Sequence, residues 1–514
     1  QASFSVQRTL CWAQVEGAYR SCAMFFLLPF CSLVVAVGAA SIDATDSNIS
    51  VVGRHAIVSQ GVAFDHPGVR FTLHVQNASW LNAVMSQVGF VPNSFVVYVD
   101  GRRMGLATFN TSGWADGAPV FVPLYSGLDD TPHEDSRHFG HDHLQVVPSR
   151  VVLLKSSEAS FDNHGEVLPN FVTLLRFEGP DGMAAVAPAA LGHVPRRRVE
   201  FLGDSIMAGY CNLCRLGRRL VDKVATQAAN ERPHQAAPSN WATSSFADAW
   251  PNLLCGALGA ECHVAAWSGL GMVKNCCGGE TIMPDIWFRS LATVGAADSS
   301  DPHGTEVSNL WNFRRWVPDA VVVNLGTNDH LDWRPELIPA FNSTYLSLLE
   351  AAAAAYGSGV SFFLTCGPMS DRYCSEVEWV AEEARKRGIK AHAFAQQPPS
   401  IQNSCCYHPG DGGHLALADI TGAFIRERMG WPSEAEEAKA KAEAEVKAKA
   451  KAEKEAEAKA KAKAEEAKAE EEVGAKAKAE KEEAKAKADE QEEAKVEAKN
   501  KAEPKAKAKT VLAA

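Results

Sequence analysis

A serine, a glycine turn, an asparagine and a pair of histidines are the residues of this chain whose types and spacing can do chemistry. The serine stands in Phe201-Leu202-Gly203-Asp204-Ser205-Ile206. Directly after a buried strand, where the chain turns into a helix, it is exposed at a sheet's carboxyl edge with its own backbone N–H free to meet an anion. By itself a Ser after Gly-Asp is as well explained as a turn or N-cap residue. The glycines stand in Ala266-Trp267-Ser268-Gly269-Leu270-Gly271, where the missing Cβ lets backbone N–H groups approach a ligand, as an oxyanion hole requires. A simple tight turn explains them equally. In Val321-Val322-Val323-Asn324-Leu325-Gly326-Thr327-Asn328-Asp329 an apolar strand ends in a glycine and an asparagine, and the Asn328 amide can donate to a developing oxyanion. Finally, Tyr407-His408-Pro409-Gly410-Asp411-Gly412-Gly413-His414 offers two imidazoles, His408 and His414, as a general base. A hydroxyl nucleophile, a base and N–H donors are the parts of acyl transfer through a seryl ester. That chemistry requires no metal and no organic cofactor.

The elements that must position these residues change character along the chain. From about Val51 to Phe177, short apolar or alternating runs are separated by Gly, Pro, Asn and Asp; the clearest are 69–75, 95–99, 120–124, 151–154 and 171–177. Asp100-Gly101 sits where a hairpin turn belongs, and the pattern predicts a small β-sandwich over 49–178. A stretch rich in Ala, Gly and Pro follows, and 179–197 reads as a linker. Over 198–431 compact apolar strands (198–202, 262–267, 320–325, 360–365) alternate with helical patterns (246–258, 341–356, 376–387, 415–429). Such alternation predicts an α/β domain, a parallel sheet covered on both faces, with ligands beyond the carboxyl ends of its strands. The serine, glycine and asparagine blocks fall at such ends.

These four blocks, in this order, resemble the SGNH (GDSL-like) hydrolases over about Arg198 to Met429. With the first half included, the span from about Gly53 to Met429 resembles carbohydrate esterase family two. The matching segments are Val97-Tyr98-Val99-Asp100-Gly101, Leu153-Leu154-Lys155-Ser156-Ser157-Glu158, Val199 to Ser205 continuing to Gly209-Tyr210, Trp316-Val317-Pro318-Asp319-Ala320, and His408-Pro409 followed by Gly413-His414. The resemblance implies a jelly-roll-like sandwich ahead of a three-layer α/β/α SGNH domain, and acetylxylan esterase or sugar deacetylase activity on an acetylated polysaccharide or oligosaccharide. It implies Ser205 as nucleophile, His408 as base, and the Ser205 N–H, Gly269 and Asn328 as the oxyanion hole, with Gly271 as the alternative glycine. His414 is then the rival base. The family often carries an Asp two residues before the catalytic His, where this chain has Cys406. A dyad oriented by a backbone carbonyl is therefore expected, with Asp411 as the alternative orienting group. Trp267, Trp333 and Tyr407 are candidates to stack on a sugar ring. Other readings are an SGNH lipase or thioesterase, and a non-catalytic carbohydrate-binding or surface protein.

The chain has 514 residues and a net charge of −11. From Pro432 onward (432–514) Ala, Lys and Glu dominate, with 21 Lys against 22 Asp and Glu, so nearly all of the net charge belongs to the part before it. An acidic body without a basic stripe argues against nucleic acid as a partner. The tail's opposite charges at i, i+4 favour a solvated single helix or spacer without an apolar seam, interrupted at Gly474 and Pro504. Within 1–40, Met24 to Val37 is an apolar run ending in Gly38, Ala39 and Ala40. It reads as a secretory signal cleaved after Ala39 or Ala40, being shorter than the ~20 apolar residues of a membrane span. Sequons at Asn48, Asn77, Asn110 and Asn342 fit export, as do the ten cysteines between Cys211 and Cys406, which read as disulfides. A zinc site built from Cys211-x-x-Cys214 with Cys276, Cys277, Cys405 or Cys406 is the competing use of those thiols. His133 to His143 holds four histidines without evident ligand spacing and reads as a solvated loop.

Overall fold

Alternation writes the first half of the chain into strands. In β5, Arg-Phe-Thr-Leu-His-Val-Gln, Phe71, Leu73 and Val75 are buried while the residues between them are half-exposed, the period-two pattern of a sheet with one face in a core. The computed structural model describes residues 39–104, 109–126, 149–159, 168–187, 197–213, 243–295, 309–330, 334–397 and 406–507. Its first strands are β1 (Ala39–Asp43), β2 (Ser50–Val52), β3 (Ala56–Val58), β4 (Gly61–Phe64), β5 (Arg70–Gln76), β6 (Trp80–Val88) and β7 (Ser94–Val99). They continue with β8 (Arg102–Arg103), β9 (Phe109–Asn110), β10 (Val120–Ser126), β11 (Ser149–Lys155), β12 (Phe171–Pro180) and β13 (Ala184–Val186).

One antiparallel sheet has the order β10-β6-β12-β4-β3 with β1 on β12; the other has β13-β5-β11-β7-β8 with β2 on β5 and β9 on β7. Phe64, Leu81, Met85 and Phe177 of the first sheet share a core with Phe71, Leu73, Phe95 and Leu153 of the second. Asp100 and Gly101 both have positive φ, 50° and 82°, as a two-residue hairpin between β7 and β8 requires.

The second half is β14 (Arg197–Gly203), α1 (Ser205–Ala208), α2 (Trp250–Leu258), β15 (Ala260–Ala266), α3 (Met283–Trp287), β16 (Ala320–Asn324), α4 (Thr327–His330), α5 (Ile338–Tyr356), β17 (Ser361–Cys366), α6 (Cys374–Lys386), β18 (Lys390–Ala395) and α7 (Asp411–Met429). The strands are parallel, in the order β15-β14-β16-β17-β18. Successive strand residues face opposite ways. Leu202, Ala265, Val321 and Leu364 pack with α3, α5 and α6, while Phe201, Val264, Val322 and Phe363 pack with α2 and α7. Both faces are thus covered, which is why these strands read as continuous apolar runs.

Buried polar contacts lock the sandwich onto the parallel-sheet half. Arg54 pairs with Glu200 at 2.7 Å, both side chains fully buried, and Glu200 also accepts from Trp287 Nε1 and Tyr356 Oη. Asp65 accepts three bonds of 2.8 Å, from Ala292 N, Thr293 N and Thr293 Oγ1.

Several expectations are corrected. Part of the expected linker is β12 and β13, the latter paired with β5; Ala and Val satisfy a sheet edge as well as a spacer, and 188–196 lie outside the described residues. The expected helix over 246–258 is a 3-10 turn at Phe246–Asp248 followed by α2, because Pro251 takes a first-turn position, where its missing N–H costs nothing. Strands β6 and β18 were not anticipated. The tail is one helix, α8 (Glu434–Lys507), running through Gly474 and Pro504. An interior Gly costs about 1 kcal/mol, which the long Ala, Lys and Glu runs outweigh, and Pro504, which forfeits an i→i−4 bond, is followed by only three more helical residues.

Strand β1 pairs Ala39–Asp43 with β12; Met24 to Val37 and His133 to His143 lie outside the described residues. Among the described residues, no helix is long and apolar enough to cross a membrane. Disulfides join Cys211 to Cys406, Cys255 to Cys262, Cys276 to Cys277 and Cys366 to Cys374. This removes Cys211, Cys276, Cys277 and Cys406 from the zinc reading, which needs thiolates; Cys214 and Cys405 lie outside the described residues.

Candidate active site

Strand register brings three of the four blocks to one sheet edge. Gly203 of β14 pairs with Ala266 of β15 on one side and Asn324 of β16 on the other, so Ser205, the Ser268-Gly269 turn and Asn328 follow three neighbouring strands. Asp204 caps α1, its Oδ1 accepting from Ile206 N at 3.0 Å. Ser205 is the first residue of that helix, a position whose N–H has no intrahelical acceptor.

The fourth block closes over the serine from the segment ahead of α7. His408 Nε2 lies 2.7 Å from Ser205 Oγ, and His408 Nδ1 lies 2.8 Å from the Cys406 carbonyl oxygen. A carbonyl only accepts, so Nδ1 carries the proton and Nε2 of the neutral ring is the acceptor. Burial pushes the His408 pKa below its usual value, partly offset by the bond to Cys406. The imidazole is therefore neutral at pH 7 and can take the serine proton. Tyr210 packs edge-on against it, ring centroids 4.9 Å apart, and the Cys211–Cys406 disulfide ties its loop to the segment after α1.

The other candidates separate cleanly. His414 is fully buried on α7, with Nδ1 accepting from Trp250 N at 3.1 Å, and burial with the nearby His408 lowers its pKa to about 3. Its ring is packing, correcting its reading as a rival base. Asp411 opens α7 and accepts from Gly412 N, whereas the His408 Nδ1 proton goes to Cys406; the orienting group is the carbonyl and not this carboxylate. Gly271 donates its N–H to Asn275 Oδ1 at 3.0 Å, and a Cβ there would lie 2.0 Å from Lys274 O. That glycine is required by the turn, with its donor already used, whereas Gly269 has φ +83° and its carbonyl accepts from Cys276 N.

Asn328 Nδ2 donates one hydrogen to Leu270 O at 2.8 Å and lies 3.5 Å from Asp204 Oδ2. Trp267 is 3% exposed in the core beside Leu202 and Met272, which corrects its reading as a sugar platform: its backbone lies at the site and its indole does not. Tyr407 is 83% exposed next to His408, and Trp333 lies outside the described residues.

Two carboxylates at the site were not singled out from sequence. Asp329 accepts from Met272 N, Val273 N and Lys274 N at 2.8 to 3.0 Å, folding the glycine loop around itself. Glu158, from the segment after β11, accepts from Ser268 N and Ser268 Oγ. Asp329 was visible as an acid beside Asn328 in the strand-end motif; Glu158 closes the matching segment Leu153 to Glu158, but its partner, 110 residues away, was not legible.

No protein-family model matches the chain. Cellulase/esterase CelE of Acetivibrio thermocellus is 28% identical over 349 residues, 66% of this chain; the chain spans 34% of that protein's length. An acetylxylan esterase / glucomannan deacetylase of Cellvibrio japonicus is 23% identical over 397 residues, 76% of this chain and 92% of that protein. The structure of a family two carbohydrate esterase from Clostridium thermocellum in complex with cellohexaose aligns with a TM-score of 0.56 at 22% identity, covering 75% of this chain and 100% of that one. In sequence and in architecture alike, the chain resembles the family two carbohydrate esterases and has their fold.

Proposed function

We propose that this protein is a serine esterase that removes O-acetyl groups from carbohydrate. The observation that carries the reading is the hydrogen-bonded relay from Ser205 Oγ to His408 Nε2, 2.7 Å, and from His408 Nδ1 to the Cys406 carbonyl, 2.8 Å. His408 takes the hydroxyl proton as Ser205 attacks the acetyl carbonyl. The Ser205 N–H, the Gly269 N–H and the Asn328 amide stabilise the tetrahedral oxyanion. The imidazolium then protonates the departing sugar oxygen, and water deacylates the acetyl-serine by the reverse proton path. The steps use side chains and backbone N–H groups of this chain, with water as the second nucleophile.

Support for acetylated carbohydrate comes from the names of the similar proteins, an acetylxylan esterase / glucomannan deacetylase and a cellulase/esterase, and from the cellohexaose bound by a structural neighbour. The exposed ring of Tyr407 beside the base offers a flat apolar face of the kind sugars stack on. The apolar run after Met24 and the disulfides support export through an oxidising compartment. The test is acetate release from acetylated xylan or glucomannan, set against hydrolysis of long-chain p-nitrophenyl esters, with fluorophosphonate labelling of wild type and Ser205→Ala. Acetate release together with labelling lost in Ser205→Ala is expected. A preference for long acyl chains points to a lipase, and a folded protein with neither activity nor labelling is not an esterase.

A further inference from the structure

Strand β11 belongs to the sandwich, yet the residues that follow it enter the other half of the molecule. Ala159 is fully buried in the parallel-sheet core with Trp267 and Met272, and its carbonyl accepts from Asn170 Nδ2 at 3.0 Å. One residue earlier, Glu158 is 3% exposed. Its Oε2 accepts from Ser268 N at 2.5 Å and its Oε1 from Ser268 Oγ at 2.8 Å. The Lys155 ammonium does not reach this carboxylate but holds its main chain, donating to Glu158 O and Ser157 O, each at 2.8 Å.

Ser268 lies between two fixed points. Trp267 N donates to Gly203 O at 3.2 Å, and Gly269 sits at φ +83°, a region glycine enters without strain and leaves as easily. The direction of the Gly269 N–H is set by the peptide plane joining it to Ser268. A carboxylate that grips both the N–H and the hydroxyl of Ser268 anchors the near end of that plane by fixing Ser268 φ and χ1, while Cys276 N, donating to Gly269 O at 2.9 Å, anchors the far side of the turn.

We propose that Glu158, supplied by the sandwich, is a positioning residue of the hydrolytic site: it aims the Gly269 N–H at the oxyanion by holding Ser268 at two points. The proposal rests on the esterase reading. It makes the sandwich part of the catalytic apparatus in addition to any role in binding sugar. Burial raises the Glu158 carboxyl to about 7 and lowers the Lys155 ammonium to about 7, and a buried acid so placed is costly to keep unless the geometry it imposes is used.

The test uses the full chain and two readouts, steady-state acetyl-ester hydrolysis and the rate of fluorophosphonate labelling of Ser205, which needs the nucleophile, base and oxyanion hole but no sugar. Glu158→Ala is expected to lower kcat and the labelling rate by about 10- to 100-fold, with KM changed less than about twofold. Glu158→Gln keeps the shape, its amide oxygen accepting from Ser268 N and its amide nitrogen donating to Ser268 Oγ, and is expected to recover most of the rate. A folded Glu158→Ala with wild-type kcat and labelling overturns the proposal, since a merely structural contact moves the melting temperature and not kcat. Should Glu158→Ala fail to fold, Ser268→Ala removes only the hydroxyl contact; a several-fold fall in kcat supports the proposal and an unchanged kcat overturns it. Labelling of wild type without acetate release overturns the substrate reading while the labelling rates still decide on Glu158. Absence of labelling in folded wild type overturns both.

Discussion

The Nδ1 of His408 hydrogen-bonds the carbonyl oxygen of Cys406 at 2.8 Å, so a peptide carbonyl stands where a carboxylate would orient the base of a triad. A carbonyl selects the tautomer as well as a carboxylate does, but it carries no charge to stabilise the imidazolium. Burial then dominates, and His408 titrates below its usual value.

The pH profile follows from that direction. With neutral His408 as the proposed base, kcat/KM should hold through neutrality and fall on the acid side with an apparent pKa below 6.5. His408→Ala should lower kcat by at least ~10³ at every pH. An acid limb above pH 7 in the wild type contradicts the assignment.

In the proposed oxyanion hole Asn328 supplies the one side-chain donor. Asn328→Ala should lower kcat by ~10² to 10³, with KM changed far less. The same substitution frees Leu270 O from its 2.8 Å bond, so thermal unfolding is measured alongside to separate lost catalysis from a loosened turn.

The Cys211–Cys406 bond joins positions 195 residues apart and pins the carbonyl that orients His408. Replacing both cysteines by Ala should cost about 2 to 4 kcal/mol of stability and lower kcat by roughly 10-fold through a less restrained imidazole. Denaturant unfolding and turnover of the double variant check the two effects independently.

His55, at the contact between the two halves, donates to Gly53 O and has its pKa lowered to about 4, chiefly by burial and then by Arg315. Unfolded, it binds a proton near 6.5, so stability from this group is present above pH 6.5 and is lost as pH falls from there to about 4. Glu158 and Asp204, raised to about 7, act in the opposite sense, because the folded state holds their protons over the same window. The informative quantity is therefore a difference. Between pH 7 and pH 4, wild type should lose on the order of 3 kcal/mol relative to His55→Asn, measured by urea unfolding at each pH.

What the sequence by itself determined was periodicity and order. Runs such as Val321-Val322-Val323 of β16 and Phe171–Pro180 of β12 announce their sheets because burial on both faces or on one leaves a direct imprint on residue type. Ser205, the glycine turn and Asn328 were legible because each follows such a run, and the chain passes from one strand end to the next. Strand β6 escaped notice because its Asn82 and Ser86 break the apolar pattern while pairing on both sides hides the backbone. The tail's composition announced a helix but not its continuity past Gly474.

Tertiary structure decided what depends on side chains distant in sequence. His408 and His414 are six positions apart, one ahead of α7 and the other in its first turn, and only packing against Trp250 buries one and leaves the other beside Ser205. Trp267 turns into the core and Tyr407 out of it because β15 presents alternate faces and Tyr407 has φ +60°. The Cys211–Cys406 bond and the grip of Glu158 on Ser268 span 195 and 110 residues. Local patterning carries no trace of either, since a cysteine or a buried glutamate acquires its role only from the partner that folding delivers.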